Sequence, residues 1–268
     1  MPRIALGVEY DGSAFSGWQA QAHARGVQSV VEEALSAVAD HAVAVVAAGR
    51  TDAGVHAAMQ VVHFDSVARR SERGWVLGAT TNLPPQVSAL WAREVPQAFH
   101  ARYSAIARRY RYLILNRPAR PALAAGRVCW VRDALDAPRM QTGAQHLIGE
   151  HDFSSFRAAE CQARTPMRRV HEITVERRGD LIVLSVLANA FLHHMVRNIA
   201  GVLIAIGSGK RPPDWAGEVL AARDRTRGGV TAAASGLYLA GVRYADSLGL
   251  PSEPAFEPMP ASFGLPGP

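Results

Sequence analysis

Residues 42–64 read AVAVVAAGRTDAGVHAAMQVVHF and contain the pattern on which the fold depends. Two apolar runs, at 42–48 and 59–64, lie on either side of a polar loop with two glycines. This pattern predicts two β-strands joined by that loop, the second centred on Val61 and Val62. The two strands therefore follow one another in the chain without a helix between them.

The regions on both sides of this pair each add one strand and one helix. A strand at 4–8 and a helix at 26–40 are predicted before the pair, and a helix at 73–81 and a strand at 87–93 after it. The first helix has a predicted capping box at Ser29-Val30-Val31-Glu32. Its apolar stripe consists of Val31, Ala34, Leu35 and Val38. The order β-α-β-β-α-β is typical of the split βαβ, or ferredoxin-like, fold.

The second half of the chain predicts the same types of element. Strands are expected at 109–115, 127–131, 170–177, 181–188 and 239–244, and helices at 138–148, 191–206 and 213–223. The third and fourth of these strands form a hairpin around Arg178-Gly179-Asp180. The predicted class is therefore α/β (α+β), with two ferredoxin-like halves.

We expect two domains and a tail. Residues 1–105 form an N-terminal α/β domain that contains the polar loop, and residues 106–248 form a C-terminal α/β domain with a basic surface. Residues 249–268 form a proline-rich tail. Its composition predicts disorder, because such a segment cannot bury enough apolar surface to fold.

The composition is that of an ordinary globular protein. Of 268 residues, 49% are hydrophobic and 19% are charged, which excludes a disordered or collagen-like chain. The formal net charge of +6 hints at an acidic partner such as nucleic acid. Nearly all basic residues are arginine, a bias that genome composition also produces. The charge is nevertheless localised, since residues 95–132 contain eight arginines and no acidic residue.

Cysteine usage and hydropathy predict the compartment. Cys129 and Cys161 do not form a C-x-x-C pair, so we expect two buried thiols. Residues 1–10 lack the apolar core of a signal peptide. The longest apolar stretch, 191–206, contains histidines, an arginine and an asparagine and is not expected to cross a membrane. We therefore expect a cytoplasmic protein.

The candidate for catalysis is the loop Gly49-Arg50-Thr51-Asp52-Ala53-Gly54-Val55-His56-Ala57. Its glycines let the backbone turn tightly or approach a ligand closely. Arg50 and Asp52 are two residues apart and lie on the same side of an extended stretch. A guanidinium near a carboxylate keeps it ionised and fixes its direction, which suits a nucleophile or a base. The alternative is that Asp52 caps the following turn and pairs with Arg50 structurally.

This loop and other motifs along the chain resemble the TruA family of tRNA pseudouridine synthases. The resemblance runs from about Arg3 to Tyr244. Besides the loop, it rests on EYDG at 9–12, GWQ at 17–19, QVVHF at 60–64, NLP at 82–84, FHAR at 99–102, ARRYRY at 107–112, DFSSFR at 152–157, HHMVRN at 193–198 and SGLYL at 235–239. It implies a pseudouridine-synthase fold with a mixed, mostly antiparallel sheet.

The resemblance implies an enzyme that isomerises uridine to pseudouridine in the anticodon stem-loop of tRNA, at nucleotides 38–40, without a cofactor. Uracil is detached from ribose at N1, turned, and reattached through C5. Asp52 would be the catalytic carboxylate, acting either on C1′ of the ribose or through a glycal route. The target base must first be flipped into a cleft. The family also implies a homodimer that holds one tRNA across both subunits.

Three further residues receive roles from the resemblance. Arg50 would orient Asp52 and keep it ionised. Tyr110 would stack on the uracil or relay the proton lost from C5. Arg197 would pair with the aspartate or contact phosphate.

Basic residues near the site are expected to contact RNA. The candidates are Arg102, Arg108, Arg109, Arg111, Arg157 and His193. Along the predicted strand we expect Tyr110 to be functional and Tyr112 to lie in the core. In the predicted helix His193 and Arg197 share a face at i, i+4. His193 and His194 point about 100° apart there and no third ligand has suitable spacing, so no metal site is predicted.

Two other classes of function compete with the enzyme. A non-catalytic RNA-binding module or tRNA chaperone would use the same charge but has no need for Asp52, which opposes RNA binding. A small-molecule α/β enzyme would need a phosphate or dinucleotide loop. Neither G-x-x-x-x-G-K-[ST] nor G-x-G-x-x-G follows the first strand. Trp18 remains open as either an RNA contact or a core anchor.

Overall fold

A computed structural model describes residues 1–21 and 23–251 of the 268-residue chain. Contacts within it divide the chain into two compact units. Among the described residues, the first comprises 1–108 and 238–251, and the second comprises Arg109–Leu237. The boundary expected at 105–106 stays a prediction for independently folding domains.

The described residues contain ten strands and five α-helices. The strands are β1 (Arg3–Tyr10), β2 (Val46–Ala47), β3 (His56–Asp65), β4 (Val87–Val95), β5 (Ala107–Asn116), β6 (Cys129–Val131), β7 (Gly149–Asp152), β8 (Met167–Arg178), β9 (Leu181–Ala188) and β10 (Leu237–Arg243). The helices are α1 (Val27–Ala39), α2 (Glu72–Asn82), α3 (Ala137–Gln145), α4 (Met195–Gly207) and α5 (Trp215–Ala222).

The first unit has the predicted order β-α-β-β-α-β. Its strands lie side by side as β4-β1-β3-β10, with β2 paired to β3. β1 is antiparallel to both β3 and β4. Because β3 is central and covered on both faces, all of its residues except the last are buried. Phe64 of β3 meets Trp75 of α2 edge-on at 5.0 Å, and this contact joins the sheet to the helical layer.

The predicted capping box of α1 is wrong. The helix begins at Val27 with Gly26 as its N-cap, so Ser29 lies in the first turn. The Ser29 hydroxyl donates to the Gly26 carbonyl at 2.9 Å. The Glu32 carboxylate accepts a hydrogen bond from the Val45 N–H at 3.0 Å. Ser29 therefore bonds within the helix start, whereas Glu32 binds the chain before β2, and neither side chain caps the helix.

The strand predicted at 42–48 is much shorter in the structure, where β2 is only Val46–Ala47. The reason lies in side chains of α1. The Val43 N–H donates to the Ser36 hydroxyl at 2.9 Å, and Glu32 takes the Val45 N–H. These helix side chains take the backbone N–H groups that a strand partner would otherwise bind.

The second unit contains the strands β5-β9-β8-β7 in that order, with β6 parallel to β5. β8 and β9 form the predicted hairpin, and Arg178 pairs with Leu181 across a two-residue turn. α3 packs against β8, α4 and α5. The short strand β7 was not expected from the sequence. The mixed and mostly antiparallel pairing confirms the predicted α/β class.

The helix predicted at 191–206 begins four residues later, at Met195. His194 is its N-cap and has a left-handed backbone with φ of 61°. The preceding chain is held by another segment, because the Ala158 N–H donates to the His193 carbonyl and the His193 N–H donates to Cys161 Sγ. His193 is therefore not helical, and the expected i, i+4 pairing with Arg197 on one helix face is wrong.

The last strand pairs with the first unit. β10 runs parallel to β3, with Tyr238 opposite His56 and Leu239 opposite Ala57. From the sequence this strand was expected with residues 106–248. The predicted tail at 249–268 lies outside the described residues from position 252 onward. None of the helices in the described ranges is long and apolar enough to cross a membrane.

One buried histidine, His63, is expected to make the stability of the first unit depend on pH. His63 of β3 is 4% exposed, and its Nδ1 atom accepts a hydrogen bond from the Ala101 N–H at 3.1 Å. Burial, followed by the positive charges of Arg3 and His100, lowers the pKa of His63 to about 4, although Asp65 acts in the opposite direction. The folded state therefore holds this imidazole neutral.

We expect the free energy of unfolding to decrease by about 3 kcal/mol through His63 as the pH falls from about 6.5 to about 4. In that window the unfolded chain binds a proton that the folded chain does not bind. Above about pH 6.5 the contribution is fully present. Urea unfolding across this range measures the slope. His63→Gln keeps an acceptor but cannot titrate, so it should flatten the slope, and an unchanged slope would assign the effect to other groups.

Candidate active site

Asp52 lies in a short turn between β2 and β3. The Val55 N–H donates to the Asp52 carbonyl at 3.1 Å, and Gly54 has φ of 75°, as the third residue of a type II turn requires. Asp52 is half-buried and Arg50 is exposed. The turn thus places a carboxylate near the surface on a defined backbone. The predicted orientation of Asp52 by Arg50 stays a prediction.

The residue before Asp52 anchors the turn to the core. Thr51 is 7% exposed, and its hydroxyl is hydrogen-bonded to the Tyr10 hydroxyl at 2.8 Å. The Tyr10 ring is buried, and burial raises the pKa of its phenol, so Tyr10 remains a neutral partner. Because neighbouring residues of an extended chain point to opposite sides, the inward Thr51 directs Asp52 away from the core.

Side chains of β3 hold both ends of the loop. The Gln60 amide nitrogen donates to the Gly49 carbonyl at 2.7 Å. At the other end, the Nδ1 atom of buried His56 accepts from the Gly12 N–H at 3.1 Å and lies 3.2 Å from an Asp11 carboxylate oxygen. The His56 ring stacks on Tyr238 of β10, with ring centres 4.6 Å apart. The strand therefore fixes the loop at its start and at its end.

A glycine loop packs directly on this turn. The Trp18 N–H donates to the Thr51 carbonyl at 2.9 Å. Gly17 has φ of 96°, and a Cβ atom there would lie 2.8 Å from the same carbonyl oxygen. Trp18 is 2% exposed and lies near the Tyr10 ring, with centres 5.9 Å apart. Trp18 is thus a core anchor, which decides between the two roles left open by the sequence.

We expect Gly17→Ala to lower the free energy of unfolding by about 2 kcal/mol, because the methyl group meets backbone and the left-handed conformation disfavours alanine. Gly49→Ala, whose Cβ would meet nothing within 4 Å, is the control and should change stability by less than about 0.5 kcal/mol. Denaturant unfolding compares the two. Equal losses would contradict the close packing of residue 17 on the turn.

Sequence reasoning missed the buried polar residues that support the turn. Tyr10, His56 and Gln60 lie within or beside motifs noted above, but none received a role. The available signal was the composition of β3, in which His56, Gln60 and His63 interrupt an apolar strand. A polar residue in a buried strand requires hydrogen-bond partners, and here those partners are mostly the backbone of neighbouring loops.

The second unit contains Tyr110 and Arg197, two of the three residues that receive a role from the family resemblance. Tyr110 of β5 is half-buried, and its ring meets Phe191 edge-on at 4.8 Å. Tyr112 is fully buried and donates its hydroxyl to the Ala233 carbonyl at 2.7 Å, which confirms its core position. Arg197 is half-buried on the first turn of α4, and its Nε atom donates to the Ala232 carbonyl at 2.8 Å.

Three of the predicted RNA contacts hold the structure together. Arg109 is 8% exposed and donates through both terminal nitrogens to the Glu172 carboxylate, each at 3.1 Å, and to the Ser185 hydroxyl. Arg157 donates to the carbonyls of residues 161 and 163. Arg108 donates to the carbonyls of residues 48 and 102. Their cations are engaged within the protein.

The other three candidates differ in their exposure to solvent. Arg102 is exposed, whereas Arg111 and His193 are half-buried. The imidazole of His193 lies beside that of His194, with ring centres 4.0 Å apart. Of the six residues, Arg102 thus offers the most open cation to a polyanion.

Both cysteines are free and buried, as predicted. Burial raises the pKa of the Cys129 thiol. Burial also acts to raise the pKa of Cys161, but hydrogen bonds from the backbone at His193 and Ala163 and the nearby Arg157 charge outweigh it, and the net direction is downward.

Known proteins resemble this chain over nearly its full length. A family model described as tRNA pseudouridine synthase matches residues 7–104 and 144–245. The tRNA pseudouridine synthase A of Methylococcus capsulatus is 60% identical over 259 residues, covering 97% of this chain and 96% of the relative. The proteins of the same name from Nitrosococcus oceani (61% over 249 residues, 93% and 96%) and Coxiella burnetii (58% over 254 residues, 95% and 97%) are similarly close. The chain therefore belongs to the tRNA pseudouridine synthase family.

Proposed function

We propose that the protein isomerises uridine to pseudouridine in tRNA and that Asp52 is the catalytic carboxylate. The observation that carries this proposal is the loop of residues 49–57, which buried side chains hold at both ends and whose turn at 52–55 presents a half-buried Asp52, in a chain of this family. A carboxylate on a fixed backbone suits attack on a sugar carbon or stabilisation of the charge that develops there.

The reaction breaks the N1–C1′ bond, forms a C5–C1′ bond and transfers the C5 hydrogen as a proton. Substrate and product have the same atoms and the same oxidation state, so the balance needs neither a redox cofactor nor an energy source. In one route the Asp52 oxygen forms a covalent bond to C1′ and leaves as C5 attacks. In the other, the carboxylate accepts the C2′ proton as uracil departs, which leaves a glycal, and returns that proton to C2′ when C5 bonds to C1′. Both routes require the ionised carboxylate.

The substrate site that we propose is the anticodon arm, at nucleotides 38–40. A base in that arm is stacked, so it must be flipped outward before C1′ can be reached. We assign to Tyr110 stacking on uracil and relay of the C5 proton, to Arg50 the orientation of Asp52, and to Arg197 pairing with the aspartate or with phosphate. Arg102, Arg111 and His193 remain the proposed RNA contacts.

Arg108, Arg109 and Arg157 enter this proposal in a supporting role, because their guanidinium groups bind the protein's own carbonyl and carboxylate oxygens.

We also propose that two copies of the chain form a homodimer that holds one tRNA across both subunits, and that the protein acts in the cytoplasm. Sedimentation of the protein alone would measure whether it is a dimer, and sedimentation with tRNA would measure whether one tRNA binds two subunits.

The function is tested with an unmodified tRNA transcript. We expect incubation with the purified protein to convert uridine at nucleotides 38–40 without a change in RNA mass, and chemical mapping of pseudouridine locates the product. Binding of the transcript without conversion would favour a non-catalytic RNA-binding module. Conversion only outside the anticodon arm would overturn the proposed substrate site.

A further inference from the structure

We propose that Tyr103, together with Arg102, forms a stacking platform for a nucleobase of the bound tRNA, outside the site that isomerises uridine. The inference rests on the proposed function in one respect, namely that tRNA is the ligand. The platform is the loop of residues 100–106 between β4 and β5, in the first unit.

The loop exposes large apolar groups to solvent. Tyr103 is 77% exposed and Ile106 is 57% exposed, and Arg102, which precedes Tyr103, is exposed as well. Single exposed apolar residues are common and need no function. What distinguishes this loop is the number of side chains that hold its backbone in place.

The backbone of the platform is fixed by residues from distant parts of the chain. The Ala101 N–H donates to His63 Nδ1 at 3.1 Å, and the Tyr244 hydroxyl donates to the Ala101 carbonyl at 2.7 Å. Arg108 donates to the Arg102 carbonyl at 2.6 Å. Within the loop, the Ser104 N–H donates to the His100 carbonyl at 2.8 Å. A loop fixed in this way loses little conformational entropy when it binds a ligand.

The Tyr103 ring is supported on the protein side. Its centre lies 4.3 Å from that of the His100 imidazole, and the rings are inclined by 31°. His100 is itself held, because its Nδ1 atom accepts from the N–H groups of residues 102 and 103, each at 3.2 Å. The Arg102 guanidinium carbon is 5.8 Å from the Tyr103 ring centre. The guanidinium lies over the ring, and this pair of an aromatic ring and a cation matches a base and its phosphate.

The charge around the platform favours RNA over an apolar protein surface. Within the first unit, the chain from 95 to 108 contains no acidic residue. The acidic group on the neighbouring strand, Asp65, is paired with Arg3 at 2.8 Å, and Arg3 also donates to the carbonyls of residues 97 and 99. The platform therefore carries the positive charge of Arg102 beside a neutralised carboxylate, which attracts phosphate.

The position of the platform relates it to the catalytic loop. The Arg108 guanidinium binds the Arg102 carbonyl and, at 3.0 Å, the carbonyl of Ala48, which precedes the Asp52 loop by one residue. The carbonyl oxygens of Ala48 and Arg102 therefore lie within hydrogen-bond distance of one guanidinium group. A base stacked on Tyr103 would belong to tRNA near the reacting uridine, and it would help to keep the flanking RNA in place while that uridine is flipped.

The test compares Tyr103→Leu, Tyr103→Phe and Leu77→Ala, using an unmodified tRNA transcript as the probe. Leu77 is exposed on α2 and serves as the control for loss of an exposed apolar group. We expect Tyr103→Leu to raise both Kd and KM about 10-fold with kcat changed less than about 2-fold, because leucine keeps apolar bulk but has no π face. Tyr103→Phe and Leu77→Ala should remain within about 2-fold of the wild type.

Arg102→Ala tests the cation separately. We expect it to lower the slope of log Kd against log salt by about one unit, as the loss of one phosphate contact does. Equal Kd values for wild type and Tyr103→Leu would overturn the platform. A changed sedimentation coefficient of Tyr103→Leu without tRNA would also overturn it, since the surface would then be a contact between copies of the chain.

The two proposals fail in different ways. If the wild type binds the transcript but forms no pseudouridine, while Tyr103→Leu still weakens binding, the platform stands and the proposed activity falls. If the wild type forms pseudouridine and Tyr103→Leu binds as well as wild type, the activity stands and the platform falls. Circular dichroism and thermal unfolding of Tyr103→Phe and Tyr103→Leu establish that both are folded.

Discussion

Asp52→Asn is expected to lower the rate of pseudouridine formation by a factor on the order of 10³ or more, the largest effect of any single substitution in this chain. An amide has the shape of the carboxylate but carries no negative charge and is a poor nucleophile. The turn should survive the change, because the Thr51 hydroxyl and backbone groups of residues 51, 52 and 55 anchor it. Release of label from C5-tritiated uridine in a tRNA transcript measures the rate.

The control for this substitution is Asp40→Asn, at an exposed position with φ of 59° that asparagine tolerates. It removes the same charge from the same unit and should leave the rate unchanged. Binding of tRNA by Asp52→Asn should be equal or tighter, since a negative charge facing the polyanion is gone. Tritium release at the wild-type rate would refute the role of Asp52 and favour a binding module.

Arg109→Ala is expected to reduce the free energy of unfolding by about 3 kcal/mol. The substitution removes a nearly buried guanidinium that makes two hydrogen bonds to Glu172 and one to Ser185. Glu172 would lose both hydrogen bonds from Arg109 while about half of its side chain stays shielded from water. Packing of the arginine stem is lost as well. Urea unfolding of the purified variant measures the change.

Arg169→Ala is the matched control for Arg109→Ala. Arg169 also lies on a strand and pairs with a glutamate, Glu150, but both side chains are more than half exposed. Solvent screens such a pair, so the loss should be below about 0.5 kcal/mol. If Arg109→Ala left stability unchanged and instead flattened the salt dependence of tRNA binding, Arg109 would return to the set of RNA contacts.

Periodicity predicted most elements, because local pattern decides whether a segment is a helix or a strand. The order of the first unit and the hairpin of β8 and β9 follow from it. It failed where another segment supplies the hydrogen bonds. α1 side chains replace part of the expected strand before β2, and residues 158–161 hold His193 outside α4. Such partners lie far away in the chain and leave no periodic signal.

The same distinction between local pattern and distant partners applies to the candidate site. The Gly49–Ala57 motif identified Asp52 from sequence alone, since its residues are contiguous. The residues that make the turn rigid are spread along the chain, and Gly17, Tyr10 and Gln60 acquire this role only when β1 and β3 are paired. A single sequence does not state which polar groups will meet.

By itself the sequence determined the fold class, the family and the carboxylate on which the proposed chemistry depends. It also located an acid-free stretch with eight arginines. Only the tertiary structure decided what those arginines do. Arg109 meets Glu172, 63 residues along the chain, and is withdrawn from solvent, whereas Arg102 stays exposed beside Tyr103. The physical reason is that charge is a property of a residue, but its availability to RNA depends on burial and on partners that folding brings together.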